Sequence, residues 1–469
     1  MESNNGKKMK KREKRVLLVS PNIFAAYSES LVRYKVNAAP TLAIAMLASI
    51  AEKEGYKVKA IDLSVSSESE FLSCLSEFKP QIVGVTFTIN HYKTIKNIIP
   101  FVRKHSHAKI ILGGPHVSGF SIRSFKELKP DIIVIGEGET AFRKILQRKS
   151  LKKIAGIVFS SGHGVISTAA IHAEKLESSP FPDWSIFDIS EYPRNSACYS
   201  IEGSRGCPYS CIFCDHSVSG NSYRTKSPKF IAEELSLIKR LGFNRAFFVD
   251  DEFALVKAHT IRLCCIIIKK NLQMEWDAIG VRLDHIDKET LSLMKKAGCR
   301  QIGVGIESGS ERVLRIINKQ ESIKQIIAGV NAIRQSGIRT TGYFMIGFPG
   351  ESKDDIKRTI NFACSLRLTY AETSFFMPLP NTPAFALCSK KGRVLAQNFE
   401  DFESMHKITF IPQGLSEREL KAFYITFYLR FYFRPRQIFY LLQDSVQNKT
   451  LACDLKSFLK LLFGAKHEK

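Results

Sequence analysis

The sequence predicts an α/β protein with an N-terminal doubly wound parallel sheet (Rossmann-like), then a partial (β/α)6 TIM-like barrel, then a helical C-terminal region. Three observations predict it. From Arg15 to Arg148 short β-branched runs alternate with helical stretches, the pattern of a parallel sheet covered on both faces. From Ala197 to Ala386 a strand followed by a helix recurs at least six times. Beyond Ala386 the chain turns helical and aromatic. A chain of 469 residues has room for more than one core.

Residues 1–14 form a basic tail, from Lys7 through Lys14, with no apolar run behind it, so a signal peptide is not expected. In the first domain, 15–148, strands are expected at Arg15–Ser20, Lys57–Asp62, Gln81–Thr86, Lys109–Leu112 and Asp131–Ile135. A helix from Pro40 to Glu54 ends at Gly55, a C′ glycine. Five strands in this order make a Rossmann-like or flavodoxin-like sheet, whose ligands sit at the strands' carboxyl ends. There the fourth strand runs into Gly113-Gly114-Pro115-His116 and the fifth into Gly136-Glu137-Gly138. Glycine lets backbone approach a large flat ligand, so a bulky residue at Gly114 is expected to exclude one. The same glycines would also serve plain tight turns.

Residues 149–196 read as a linker with a small hairpin, Ile154–Ser160 and Gly164–Thr168, and a proline-punctuated crossing at 178–184. In the domain 197–386, strands are expected at Tyr199–Ser204, Arg245–Val249, Glu275–Val281, Gln301–Ile306, Thr341–Ile346 and Thr373–Met377. Ser227-Pro228 and Ser352-x-x-Asp355 mark helix starts. In the region 387–469, Ser416-x-x-Glu419 opens a helix carrying Phe423, Phe427 and Phe431 with Tyr424, Tyr428 and Tyr432 beside them, and Arg434-Pro435-Arg436 breaks it. Such a stripe is usually core packing; a substrate wall or a peripheral membrane contact is the sharper reading.

The formal charge of +24 is spread along the chain between acidic residues, which reads as a solvated surface and a basic tail rather than a nucleic-acid or anionic-membrane interface. The longest apolar runs, such as Leu263 to Ile268, fall far short of a membrane span. Eight cysteines (Cys74, Cys198, Cys264, Cys265, Cys299, Cys364, Cys388 and Cys453) follow no repeated spacing and read as buried small hydrophobes in a reducing cytoplasm.

The other three stand as Cys207-x3-Cys211-x2-Cys214 on one loop after the first barrel strand. Three thiolates can hold three irons of a 4Fe-4S cube and leave the fourth open to a small molecule. Zinc would want a fourth ligand; His216 lies close by, though C-x3-C-x2-C-x-H is not a usual zinc pattern. Other strand ends carry Asp250-Asp251-Glu252, where one carboxylate could accept from an ammonium, and Glu307-Ser308 with Ser310, which could bind hydroxyls. Met345 lies in a further strand end that offers apolar contact. Asp250 and Asp251 would alternatively cap the next helix, and Ser310 would be an N-cap. Arg282 points into the barrel or forms a surface ion pair.

The three-cysteine spacing, with Phe213 before the last cysteine, resembles the signature of the radical S-adenosylmethionine (SAM) enzymes. With the Gly-Gly-Pro-His and Gly-Glu-Gly-Glu strand ends upstream, the whole chain resembles the cobalamin-dependent radical SAM class. The resemblance implies a 4Fe-4S cluster on Cys207, Cys211 and Cys214, SAM against Phe213, Asp250, Glu307, Ser308 and Met345, and cobalamin against Gly113, Gly114, Pro115, His116, Gly136, Glu137 and Gly138. Cobalamin domains of the methionine synthase type carry Asp-x-His-x-x-Gly after the first strand. Here Pro21 to Ala26 stand there, which implies no His ligand from that loop. The class implies a methyltransferase acting on an unactivated carbon through a deoxyadenosyl radical and methylcobalamin. Its alternatives are an oxidase or cyclase resembling the anaerobic magnesium-protoporphyrin ester cyclase, or a non-catalytic corrinoid or iron–sulfur carrier. A carrier has no use for an open iron. Implied partners are a small-molecule, peptide or lipid substrate and an electron donor such as flavodoxin or ferredoxin.

Overall fold

The computed structural model describes residues 13–27, 30, 38–172, 175–192 and 199–447. The basic tail up to residue 12, the domain start near Ala197, Cys198 and Cys453 lie outside the described residues. Strands β1 (Arg15–Ser20), β2 (Lys57–Asp62), β3 (Ile82–Thr86), β4 (Lys109–Gly113) and β5 (Ile132–Val134) form a parallel sheet in the order β2-β1-β3-β4-β5. This is the flavodoxin-like order, whose crevice opens at the carboxyl ends beside the reversal between β1 and β3. Alternation along β1 fills both faces: Val16 and Leu18 enter one core cluster, Leu17 and Val19 the other. The first long helix, Leu42–Lys53, lies within the predicted span and is followed by Gly55 at φ +76°.

The hairpin expected in the linker belongs to this sheet. Its strands β6 (Ile157–Ser161) and β7 (Gly164–Ser167) add antiparallel to β5, with Ile132 opposite Phe159. A three-residue β5 would otherwise present an open edge, and the hairpin covers it. The sheet of the first domain therefore continues past 148 through β7.

The second sheet begins with β8 (Tyr199–Ile201), after which β9 (Ser204–Arg205) and β10 (Arg224–Thr225) make a short antiparallel pair. The sheet continues through β11 (Arg245–Phe248), β12 (Glu275–Val281), β13 (Cys299–Glu307), β14 (Arg339–Ile346) and β15 (Tyr370–Phe375). All six strands are parallel, in the order β15-β14-β13-β12-β11-β8, which makes an open barrel with its chemistry expected at the carboxyl ends. Ser227 caps the helix beginning at Pro228, and Ser352 and Ser416 form capping boxes with Asp355 and Glu419. One core cluster runs from Val16 through Trp184 to Phe248 and Phe344, so both sheets share it.

The C-terminal region is not wholly helical. Strands β16 (Gly392–Val394) and β17 (Phe410–Pro412) pair antiparallel so closely that a Cβ at Gly392 would lie 2.2 Å from the Ile411 carbonyl oxygen. The aromatic helix, Glu417–Tyr432, packs on β15, burying Tyr424, Phe427, Tyr428 and Phe431. Because β15 is an edge strand, its outer peptide groups need partners. The Tyr428 hydroxyl accepts from the Thr373 N–H (3.2 Å) and donates to the Thr373 carbonyl (3.1 Å). The Tyr432 hydroxyl does the same at Ala371 (3.2 and 2.9 Å). The stripe is core packing, and its tyrosines finish the sheet edge. No helix among the described residues is long and apolar enough to cross a membrane.

Candidate functional site

Beyond β8, Gly203 and Gly206 lead the backbone into the cysteine loop. Gly206 has φ +85° and a Cβ there would meet the Ser222 carbonyl oxygen at 2.2 Å, so the segment leading into β10 closes over it only with glycine in place. Two carboxylates from the end of β11 hold this entry. Asp250 accepts from the Gly203 N–H (2.9 Å) and the Ser204 hydroxyl (2.6 Å), and Asp251 accepts from the Gly206 N–H (2.8 Å). Neither caps the next helix, whose N-cap is Val256. Burial pushes Asp250 up to about 7. Further along the loop the Ile212 N–H donates to the Ile317 carbonyl and the Asn318 amide to the Ser210 carbonyl.

The loop is thus fixed against the end of β11 and the end of the helix Glu311–Ile316, and Cys207, Cys211 and Cys214 line one cavity of about 580 Å³. Cys214 donates a hydrogen bond to Cys211, which, with Lys319 and Arg282 nearby and against burial, holds the Cys211 thiol below its ordinary value. The Cys214 thiol is pushed up by that same bond, and burial raises Cys207. The donor set suits a multi-iron cluster. A lone zinc would need a fourth ligand beside the three thiols. Cys264, Cys299 and Cys388 are buried, Cys74 and Cys364 half-buried, and Cys265 is exposed, against the expectation that all were buried.

Phe213 and Met345 line the same cavity, whereas Asp250, Glu307 and Ser308 are not among the described residues that line it. Glu307 closes β13 in a left-handed conformation (φ +62°) with its carboxylate 3.6 Å from the Lys319 ammonium. Burial raises Glu307, with Lys319 opposing. The Ser308 hydroxyl bonds Thr359 (3.0 Å), and Ser310, at its N-cap position, donates to Asp355 (2.6 Å) instead of capping. Arg282 points inward: its guanidinium lies 3.7 Å from the centre of the Tyr209 ring and donates to Asp284 and to the Lys319 and Gln320 carbonyls. Tyr209 in turn bonds His285. Of the carboxylates Asp250, Asp251 and Glu252, Asp251 is the one that lines the cavity, and sequence reasoning missed Tyr209, Met377 and Met405. Tyr209 lies inside the cysteine run, which was signal enough to find it.

A second cavity, of about 300 Å³, opens at the carboxyl end of the first sheet and is lined by Gly113, Gly114, Pro115, Gly136, Glu137 and Gly138 with apolar Leu42, Met46 and Phe142. The two cavities meet at Pro115, Val218 and Ser219, which line both. A Cβ on Gly113 would meet nothing within 4 Å, so this strand end leaves room for a flat ligand against bare backbone. Gly114 is different. At φ +97° its Cβ would strike the Thr86 hydroxyl (2.6 Å) and the Phe87 backbone (2.8 Å), so its bareness serves the fold. Glu137 is engaged across the domain boundary by Arg224 (2.5 Å) and Arg205 (3.6 Å), and Arg205 also pairs with Glu139 and Glu202.

His116 is a core histidine at the rim of the cysteine cavity, 2% exposed among Phe87, Tyr92, Phe120 and Phe399, with Ser124 on its Nε2 and no partner on Nδ1. Burial pushes it down to about 4, with Glu127 and Asp215 favouring its charge and Arg123 opposing. The unfolded chain therefore takes up this proton near pH 6.5 and the folded one only near 4. Stability from this group is present above pH 6.5 and is lost as pH falls through that window. Between pH 7.5 and 5 the loss should be about 2 kcal/mol. In chemical denaturation, His116→Phe should show a smaller acid loss than the parent by about that amount. An unchanged loss would mean that His116 titrates normally.

Comparisons with known proteins agree with this geometry. Residues 32–146 match the B12 binding domain and residues 201–363 the Radical SAM superfamily. An uncharacterized methyltransferase of Pyrococcus horikoshii is 28% identical over 432 residues, 89% of this chain and 93% of that one. The anaerobic magnesium-protoporphyrin IX monomethyl ester cyclase of Cereibacter sphaeroides is 26% identical, over 96% of this chain and 76% of its own. Among solved structures, the radical SAM methyltransferase TsrM of Kitasatospora setae superposes with a TM-score of 0.71 at 18% identity, covering 90% of each chain. This chain belongs to the cobalamin-dependent radical SAM enzymes, with a B12-binding domain followed by a radical SAM domain, and takes a 4Fe-4S cluster, SAM and cobalamin as cofactors.

Proposed function

We propose that the protein is a methyltransferase acting on an unactivated carbon. The observation that carries this reading is the shared wall of Pro115, Val218 and Ser219, which sets the cavity of the three cysteines beside the cavity of bare Gly113. In this reading Cys207, Cys211 and Cys214 hold the cluster, Phe213, Asp251 and Met345 contact SAM, and Gly113, Gly136 and Gly138 lie against cobalamin. When bound, these groups supply hydrogen abstraction and methyl delivery at a carbon that has no lone pair for polar chemistry. The chain's own part is placement. Asp250 and Asp251 fix the entry of the cysteine loop, Arg205 and Arg224 clamp the two domains through Glu137 and Glu139, and the apolar walls Phe375, Phe376 and Met377 exclude water. Electrons would come from a flavodoxin or ferredoxin.

The test is product analysis with reduced enzyme, SAM, cobalamin and candidate substrates. Methyl transfer should add one methyl group to the product and yield both 5′-deoxyadenosine and S-adenosylhomocysteine. Deuterium from the substrate carbon should appear in the deoxyadenosine. A dehydrogenated or cyclised product without substrate-linked S-adenosylhomocysteine would replace this reading by the cyclase one, which the 26% identity over 96% of the chain keeps in view.

A further inference from the structure

The opposite end of the barrel carries a different surface. At the amino ends of β14 and β15 a pocket of about 230 Å³ is lined by Arg334, Arg339, Arg367 and Arg436, and among the described residues no carboxylate lines it. Arg339 also faces the buried Asp277, so the outward charge comes chiefly from Arg334, Arg367 and Arg436, all exposed. Beside the pocket lies the last described helix, Pro435–Gln447. Gln437 is buried and donates to the Thr369 carbonyl, which fixes the helix to the barrel. The other side of the helix presents Ile438, Phe439 and Leu442, with Phe439 65% exposed, and Phe433 is exposed just before it. Residues 438, 439 and 442 share one helical face.

We propose that this end of the barrel docks on an anionic phospholipid surface, with Ile438, Phe439 and Leu442 entering the interface and Arg334, Arg367 and Arg436 taking the lipid phosphates. An apolar helix face flanked by arginines is the composition of a helix lying in the plane of a bilayer surface. Guanidinium groups bind phosphate oxygens in pairs, and the chain as a whole is strongly basic. Charge also argues against a second copy of the chain as occupant, because two-fold pairing through this patch would bring arginines against arginines. Docked this way, the cysteine cavity at the carboxyl ends of the strands faces away from the lipid, so the contact tethers the enzyme and does not feed its cavity.

Flotation of the full-length protein with vesicles tests the proposal. Vesicles containing roughly a third phosphatidylglycerol should carry the protein, those of phosphatidylcholine alone should not, and added salt should release it. Arg367→Glu with Arg436→Glu should lower partitioning more than tenfold, about fivefold or more for each reversed charge. Phe439→Ser with Leu442→Ser should lower it by a similar factor. Because all four side chains lie on the surface, deoxyadenosine formation by these variants should match the parent. Equal flotation with neutral and anionic vesicles, or none with either, would overturn the proposal. So would binding that survives all four substitutions but disappears from a chain ended at Gln447, or a wild-type dimer dispersed by Phe439→Ser with Leu442→Ser.

Discussion

Alanine at any one of Cys207, Cys211 or Cys214 should leave anaerobically reconstituted protein without a stable cluster and without 5′-deoxyadenosine formation, a loss of activity to background. The parent should carry about four irons per chain. Each thiol faces the same cavity from a loop already held by Asp250, Asp251, the Ile317 carbonyl and Asn318, so the loop should keep its path while losing a ligand. The matched controls are Cys264→Ala and Cys299→Ala. Both residues are about 1% exposed in the core cluster, and their loss should cost some stability while leaving iron content unchanged. Iron measured on the triple variant decides the matter: full retention would mean that the cysteines do not ligate it.

Gly113→Leu should abolish cobalamin binding, weakening it by a hundredfold or more, in protein that still folds. The reason is the contrast between neighbouring glycines. Gly113 lines the cavity and a Cβ there meets no protein atom within 4 Å, whereas one at Gly114 meets the Thr86 hydroxyl and Phe87 backbone at a left-handed φ. Gly114 lines the cavity too, but a Cβ there meets the protein before it can meet a ligand. Gly114→Ala should act first on folding, since strain and steric clash fall on the protein itself. Corrinoid absorption of the purified variants, set beside their unfolding transitions, separates the two effects. A Gly113→Leu protein that binds cobalamin as the parent does would remove the first-domain cavity from consideration.

Much of the fold was legible because its signals are local. The bounds of β1, β2 and β12 coincide with the predicted strands, and Ser227, Ser352 and Ser416 cap where serine chemistry says they should. What the sequence concealed depends on direction in space. Asp250 and Asp251 are chemically alike and adjacent, yet just past the end of β11 Asp250 is buried against Gly203 and Ser204 while Asp251 holds Gly206 and lines the cavity. The hairpin β6–β7 was visible as a hairpin, but its attachment to β5 is a long-range pairing that no local pattern encodes. The pairing of Arg205 with Glu139, 66 positions earlier, is hidden for the same reason. The Cys-x3-Cys-x2-Cys run was readable because one loop carries the entire motif.

The two tyrosine hydroxyls on the edge of β15 have a metrical consequence. Four residues of helix advance about 6 Å and two residues of strand about 6.6 Å, so Tyr428 and Tyr432 fall in step with Thr373 and Ala371. The steps differ by a tenth, and a third rung would already begin to miss. Inserting or deleting one residue between the tyrosines would turn the later one about 100° away from the strand. The aromatic helix can therefore vary freely in the residues it shows to water, but the count between these two positions is locked to the spacing of the sheet beneath it.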